Sequence, residues 1–287
     1  MNKILHSFTK FGYAKVSNAI NKNLIQRINK EIIYLLGKKK INYSSLNKQS
    51  KLFNDIIKKK IKNKKEISKE LFKIQSSIFN HLENKGFISE LLNSKKLKSI
   101  FANFFSLDLE YMLSSEFIIN ISSLESKNYL FKKHHQEIWS GASTDTILIW
   151  IPLFQKNTNG QMSLIPFSHL WGHVPHQNKE PIKLPNKYKE INSNCKIGDC
   201  IIFHTMTLHR SNALKEKDNT VGRLSLAVRN FKYKKNGIDN LSNWKIYSYS
   251  PFSIVEKQLG NKQLSPYRIS PKKIHKSDIL NYFKNKE

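Results

Sequence analysis

Two kinds of spacing follow one another along the chain and divide it. Up to about residue 105, apolar positions recur at helical intervals. Leu24, Ile25, Ile28, Ile32, Ile33 and Leu36 mark one face of a helix that Asn21 can cap. Leu71, Phe72, Ile74, Ile78, Phe79 and Leu82 mark a second helix within 67–82, and shorter helices are expected at 87–92 and 97–105. From about residue 109 the runs change character. The segments 109–113, 116–121, 146–154, 161–166, 199–204 and 223–233 are short, β-branched or aromatic, and bounded by Gly, Asn, Ser and Pro. Strands of this number and length predict a sandwich or jelly roll with the preceding helices packed outside it. A further short strand is expected at 8–17, running through Gly12, and a last helix at 276–283. The lysine-rich stretch 38–65, densest from Lys58 to Lys65, reads as a solvated helix face or a mobile loop. The organisation expected is one domain over 1–287: a helical part to 108, a β-core at 109–233 and an extension at 234–287. No internal repeat is visible.

Composition adds limits. The chain has 287 residues, 39% of them hydrophobic, which is enough for a core and excludes a wholly disordered chain. Its two cysteines, Cys195 and Cys200, exclude a disulfide scaffold and read as thiols in a reducing compartment. No apolar run approaches the roughly 18–20 residues of a membrane helix. Residues 1–10 carry no apolar signal region. A cytoplasmic location is the expectation.

The formal net charge is +28, which on its face suggests a polyanion partner. The make-up of that charge argues against nucleic acid. Only Arg27, Arg210, Arg223, Arg229 and Arg268 are arginines, and arginine is the residue whose planar fork reads phosphate and guanine. Lys, Asn and Ile, all with A/T-rich codons, are abundant, so the excess fits genome composition. The segment 111–232 holds only +6 of the total. The candidate chemistry gathers there.

His134-His135-Gln136-Glu137 is the first signal. In a strand, residues two apart point the same way, so His135 and Glu137 can aim an imidazole and a carboxylate at one point. By the same rule His134 is a bystander. His209 follows in Gly198-Asp-Cys-Ile-Ile-Phe-His-Thr-Met-Thr-Leu-His209-Arg-Ser, with His204 as the fallback for it. Two histidines and one carboxylate form the facial triad of non-haem Fe(II) oxygenases, which leaves coordination positions open. Arg223, fourteen residues after His209, opens the next strand and can clamp a carboxylate bidentately, which in these oxygenases belongs to 2-oxoglutarate. Arg229 would share its face, six residues on. Motif order assigns Arg223 to the cosubstrate and Arg229 to substrate or structure. Each residue also has a plainer reading: surface or core histidines, a core Trp150, a turn-capping Asp199, cysteines as small buried hydrophobes.

Taken in order, these residues resemble the phytanoyl-CoA dioxygenase family of Fe(II)/2-oxoglutarate oxygenases. The likeness runs from Phe11-Gly-Tyr-Ala-Lys-Val to about Phe231. It takes in His135-Gln136-Glu137 (His-Gln-Asp in the family), Ile147-Leu-Ile-Trp150-Ile-Pro-Leu, Asn159-Gly through Pro166-Phe-Ser-His169, Gly198-Asp199, His209 and Arg223. The resemblance implies a double-stranded β-helix (jelly-roll, cupin-like) core, mainly β with flanking α-helices. It implies iron at His135, Glu137 and His209 and 2-oxoglutarate on Arg223. Trp150 and Ser211 would touch the cosubstrate, and Gln136 would line the site. There are two departures. Glu137 stands where the family has Asp, and the loop 214–220 before Arg223 is longer.

The function expected is therefore an Fe(II)/2-oxoglutarate dioxygenase that uses O2 to hydroxylate a C–H bond, releasing succinate and CO2. Arg210, Arg229 and the segment His169–His176 suggest a polar or anionic small-molecule substrate. The competing readings are a non-catalytic jelly-roll binding module and an oxygenase acting on nucleic acid through the lysine-rich flanks.

Overall fold

The computed structural model describes residues 3–37, 45–61, 67–104, 111–121, 133–140, 146–155, 161–212, 220–230 and 245–247, with single positions (42, 142, 144, 214) between them. The side chains of 102–103, 111–115, 229–230 and 245–247 are outside that description. Six helices come first: α1 (Lys3–Phe11), α2 (Lys22–Gly37), α3 (Leu46–Lys60), α4 (Ile67–Asn84), α5 (Phe87–Leu92) and α6 (Lys95–Phe104). A short strand, β1 (Tyr13–Val16), lies between α1 and α2. The remaining strands are β2 (Tyr111–Ile121), β3 (Ile147–Phe154), β4 (Met162–Leu164), β5 (His176–Gln177), β6 (Glu180–Pro181), β7 (Ile191–Asn192), β8 (Cys200–His204), β9 (His209–Ser211), β10 (Thr220–Asn230) and β11 (Lys245–Tyr247).

The large sheet has the order β1-β8-β3-β10-β2-β11, the small one β7-β4-β9, and β5 and β6 form a hairpin of their own. From β3 to β10 the chain passes to the small sheet and back twice, which is the winding of a jelly roll. The fold is therefore mainly β with flanking helices, a double-stranded β-helix without a closed barrel.

Strand β3 is buried along its whole length because both its faces are covered. Ile147, Ile149, Ile151 and Leu153 join a core with Ile25, Ile28, Phe53, Ile78 and Leu82 of the helices, while Leu148 and Trp150 face Met162 and Leu164 of the small sheet. Hydrogen bonds lock the helices to the sheet. Asn29 Nδ2 donates to Leu153 O at 2.9 Å, and Gln75 Oε1 accepts from Ile119 N at 2.8 Å.

Two expectations are corrected. The strand read at 8–17 is a helix to Phe11 followed by β1. Gly12, at φ +82°, makes the turn, and a Cβ there would stand 2.5 Å from His169 Nδ1. Within the stretch 38–65, α3 is more than a solvated face. Its lysines Lys58, Lys59 and Lys60 are exposed, but Phe53 and Ile57 are fully buried and Phe53 stacks on Phe154 with ring centroids 4.1 Å apart. The expected turn at 159–160, most of the loop before Arg223 and the helix at 276–283 lie outside the described residues.

One irregularity in the large sheet bears on the site. Gly222 pairs with Phe154, but the next residue, Arg223, pairs with Pro152, so β3 bulges at Leu153. A bulge suits Pro152, which has no N–H for a regular ladder. The carbonyl of the bulged Leu153 is the one Asn29 satisfies. Gly222 is required by close approach, since a Cβ would lie 2.7 Å from Phe117, 3.1 Å from Phe154 and 3.2 Å from Phe53. Gly222→Ala is accordingly expected to destabilise the fold by about 1–3 kcal/mol through overpacking. Urea titration checks this; an unchanged midpoint would show that the three rings yield freely.

Candidate active site

His135 and His209 sit side by side because they form one rung of antiparallel ladder. His135 N donates to His209 O at 3.0 Å and His209 N to His135 O at 3.1 Å, which extends the small sheet by one residue beyond β9. The chain then leaves the ladder. Glu137 opens a 3-10 turn (Glu137–Ser140), its N–H bonded to Thr205 O at 2.9 Å. The strand alternation expected to align His135 with Glu137 is thus replaced by a single rung and a turn. The longer reach of Glu compared with Asp brings the carboxylate back over the histidines. Glu137 Oε1 stands 3.6 Å from His135 Nε2 and 3.4 Å from His209 Nε2, and the three ligating atoms lie within 4.8 Å of one another.

The tautomers suit a metal. Nδ1 of His135 lies 2.8 Å from Lys133 O, and Nδ1 of His209 lies 2.9 Å from Thr207 O. Each Nδ1 therefore carries the proton, and each Nε2 presents a lone pair toward Glu137. Both histidines are 5% exposed. Burial opposes charge on Glu137, but its close approach to His135 and His209 outweighs it and holds the carboxyl below the usual range. Burial, and then the neighbouring His135, keep His209 below the ordinary imidazole value. A deprotonated carboxylate beside two neutral imidazoles is the donor set that Fe(II) takes, so these residues fit the metal.

These ligands line a cavity of about 280 Å³, the part open to solvent included, between the two sheets. Arg223, 4% exposed, enters it from β10 beside the bulge. Its Nη2 donates to Ser211 Oγ, and its guanidinium lies 5.8 Å from the ring centroid of Trp150. The buried indole N–H of Trp150 has no hydrogen-bond partner among the described residues. A buried guanidinium and an unsatisfied N–H side by side form a place for a carboxylate. Met162, Phe203, Ile118 and Ser225 complete the walls. Sequence reasoning did not single out these four. Glu116, which it also missed, shares the cavity-facing side of β2 with Ile118 and pairs with Ser225. Burial, then Glu137, raise its carboxyl to about 7 against the pull of Arg223. The signal available for it was a lone carboxylate inside the apolar run Ser115-Glu-Phe-Ile-Ile-Asn-Ile121.

Other candidates lie elsewhere. Gln136 points away from its neighbours and braces two loops, donating to Gly172 O at 2.9 Å and Met206 O at 2.6 Å and accepting from Val174 N at 3.0 Å. It does not line the cavity. His169 is likewise outside it, with Nε2 3.0 Å from Thr9 O at the end of α1. His134 faces Glu190 at 3.3 Å, and Arg210 Nε donates to the same carboxylate at 2.8 Å. Arg229 lies six residues beyond Arg223 on β10, roughly 20 Å along a strand, with its side chain outside the described residues. Asp199 caps the turn before β8, accepting from Asn18 N at 2.9 Å and Lys196 N at 3.1 Å. Cys195 and Cys200 are buried and unbridged.

His204, the fallback ligand, instead accepts the Met206 N–H at 3.1 Å. Burial, then His169, push it down to about 4 from 6.5. The unfolded chain therefore takes up this proton first as pH falls. Stability from this group is complete above pH 6.5 and is lost as pH drops toward 4. His204→Asn, which keeps an acceptor for Met206, is expected to recover roughly 1–3 kcal/mol of the acid loss. Urea midpoints at about pH 7.5 and about pH 4.5 measure it; an equal loss in both proteins would acquit His204.

Among the described residues no helix is long and apolar enough to cross a membrane. No curated protein matches the chain in sequence. Among solved structures, it is similar to a non-heme monooxygenase, ThoJ in its apo form (TM-score 0.55, 14% identity, 79% of this chain and 77% of that one). It is also similar to EvdO2 from Micromonospora carbonacea var. aurantiaca (TM-score 0.53, 12% identity, 80% and 91%). At such identities these two show the fold. The family model for phytanoyl-CoA dioxygenase (PhyH) matches residues 8–217, taking in all three candidate ligands and ending before Arg223. By that match the chain belongs to the phytanoyl-CoA dioxygenase family of iron- and 2-oxoglutarate-dependent oxygenases.

Proposed function

We propose that this enzyme hydroxylates a C–H bond of a polar small molecule, with Fe(II) on His135, Glu137 and His209 and the far carboxylate of 2-oxoglutarate on Arg223. The observation that carries this reading is the meeting of three deprotonated donor atoms beside a buried arginine, in one cavity between the sheets. Bound together, iron and 2-oxoglutarate reduce O2 and direct one oxygen atom to the substrate, 2-oxoglutarate leaving as succinate and CO2.

The remaining work belongs to side chains of this protein. Lys133 O and Thr207 O fix the two imidazole rings and raise their basicity. Ser211 holds the Arg223 fork in place, and Trp150 offers its N–H to the same carboxylate. Met162, Phe203 and Ile118 keep the reacting volume dry, which strengthens each of those interactions. Gln136 acts at one remove by fixing the loops on either side of the ligand rung. Arg210, which suggested an anionic substrate, is matched by Glu190, so the reading is narrowed to a polar one. The unbridged cysteines fit a cytoplasmic setting.

The test is a screen of metabolite extracts with Fe(II), 2-oxoglutarate and ascorbate under ¹⁸O2, reading succinate and product mass. A product carrying one ¹⁸O atom is expected. A product that has only lost two hydrogens, or rearranged without gaining oxygen, would replace hydroxylation by desaturation, cyclisation or epimerisation.

A further inference from the structure

Glu116 is a carboxylate that neither the iron cluster nor the 2-oxoglutarate cradle uses. It stands on the face of β2 that carries Ile118, and its partner across the β2–β10 ladder is Ser225; both neighbours line the cavity. The charges it senses most are those of Glu137, Arg223 and His135, with Lys179 beyond them on the β5–β6 hairpin. It therefore stands close to the ligand cluster, on the side of β2 that faces the cavity. The hairpin is itself anchored over the Glu137 turn, with His176 stacked on Trp139 at 4.5 Å and Lys179 Nζ bonded to Ser140 Oγ at 3.0 Å. Among the described residues Glu116 makes no hydrogen bond or ion pair, and Lys179 spends its ammonium at the exposed rim.

Charge balance then says what Glu116 can receive. On the reading given under Proposed function, a metal dication, the Glu137 carboxylate, a 2-oxoglutarate dianion and the Arg223 guanidinium cancel. Among the described residues Glu116 is then left over as one negative charge, partly desolvated beside the cavity, where an unmatched charge is costly and a matched one discriminates strongly between ligands. We propose that Glu116 is a substrate-recognition residue whose carboxylate receives a substrate ammonium group, held beside the C–H bond offered for oxidation. This names a class of substrate, the small amines and amino-bearing metabolites, and rests on the iron/2-oxoglutarate reading of the same cavity.

The test uses three matched probes: n-butylammonium chloride, n-butanol and sodium butyrate. Each is titrated calorimetrically at about pH 8, without oxygen, into protein loaded with Fe(II) and 2-oxoglutarate. Wild type is expected to bind the ammonium about tenfold or more tightly than the alcohol, the worth of one charge-assisted hydrogen bond, with butyrate weakest. Glu116→Gln should bring ammonium and alcohol within about twofold while leaving 2-oxoglutarate affinity within about threefold, and Glu116→Asp should keep the preference. Equal binding of ammonium and alcohol by wild type, no ammonium binding up to about 50 mM, or a preference that survives in Glu116→Gln overturns the proposal. So does a loss of 2-oxoglutarate affinity in Glu116→Gln, which would place the residue in the cosubstrate cradle. Failure of wild type to bind 2-oxoglutarate at all would instead sink the underlying reading, and the two failures are told apart by the loading step.

Discussion

Glu137→Ala should cut succinate formation by at least about 10³-fold while leaving the fold intact. The size follows from what is removed. Glu137 is the one carboxylate of the cluster, and its oxygen is the atom that both Nε2 lone pairs face, at 3.6 and 3.4 Å. Without it, two neutral imidazoles remain to hold a hard dication, and several kcal/mol of charge stabilisation are lost at once. The fold survives because the contribution of this residue to packing is made by its backbone, whose N–H bonds Thr205 O at 2.9 Å. Glu137→Asp sharpens the point. Its chain is one methylene shorter on a turn that has already left the ladder, so it should bind iron more weakly than wild type and turn over measurably faster than the alanine variant. Succinate yield, with a urea midpoint on each protein, checks both. Wild-type turnover in Glu137→Ala would remove this residue from the site.

The second large effect is expected at Arg223. Arg223→Ala should raise KM for 2-oxoglutarate by about 10- to 150-fold, the range for hydrogen bonds to a charged group. The guanidinium is buried, aligned by Ser211 Oγ and backed by the Trp150 ring, so little of its affinity is screened by water. Arg223→Lys keeps the charge without the fork and should recover part of the loss. Arg229→Ala is the control that separates the two arginines, with KM for 2-oxoglutarate expected to move by less than about threefold. Steady-state kinetics on the three variants decide it. A larger effect at Arg229 than at Arg223 would reverse the assignment.

Much of this was legible in the sequence because it is periodic or ordered. Helix α5 begins and ends at the residues its apolar spacing indicates, and β3 and β8 follow their apolar runs closely. His135, Glu137, His209 and Arg223 are recognisable by type and order alone, and the structure brings all four to one cavity. What was not legible depends on contacts distant in sequence. The last turn of the helix, Phe8–Phe11, looked like part of a strand over 8–17 because Gly12 and the pocket that His169 makes for it belong to different ends of the domain. Phe53 was hidden among lysines, and only the stack on Phe154 shows that this helix carries core. Gln136 reads as a site residue from its place between two ligands, yet its amide bonds the backbone of Gly172 and Met206 instead. The bulge at Leu153, which sets where Arg223 enters, leaves no mark on the hydrophobic pattern because both faces of β3 are buried.

The central claim is that three named atoms hold one iron beside one arginine. A crystal structure grown without oxygen in Fe(II) and 2-oxoglutarate, with anomalous data at the iron edge, tests it most directly. The account predicts a single anomalous peak bonded to His135 Nε2, His209 Nε2 and the Glu137 carboxylate, with 2-oxoglutarate reaching from the metal to Arg223. A peak on other side chains, or none between the two sheets, would contradict it.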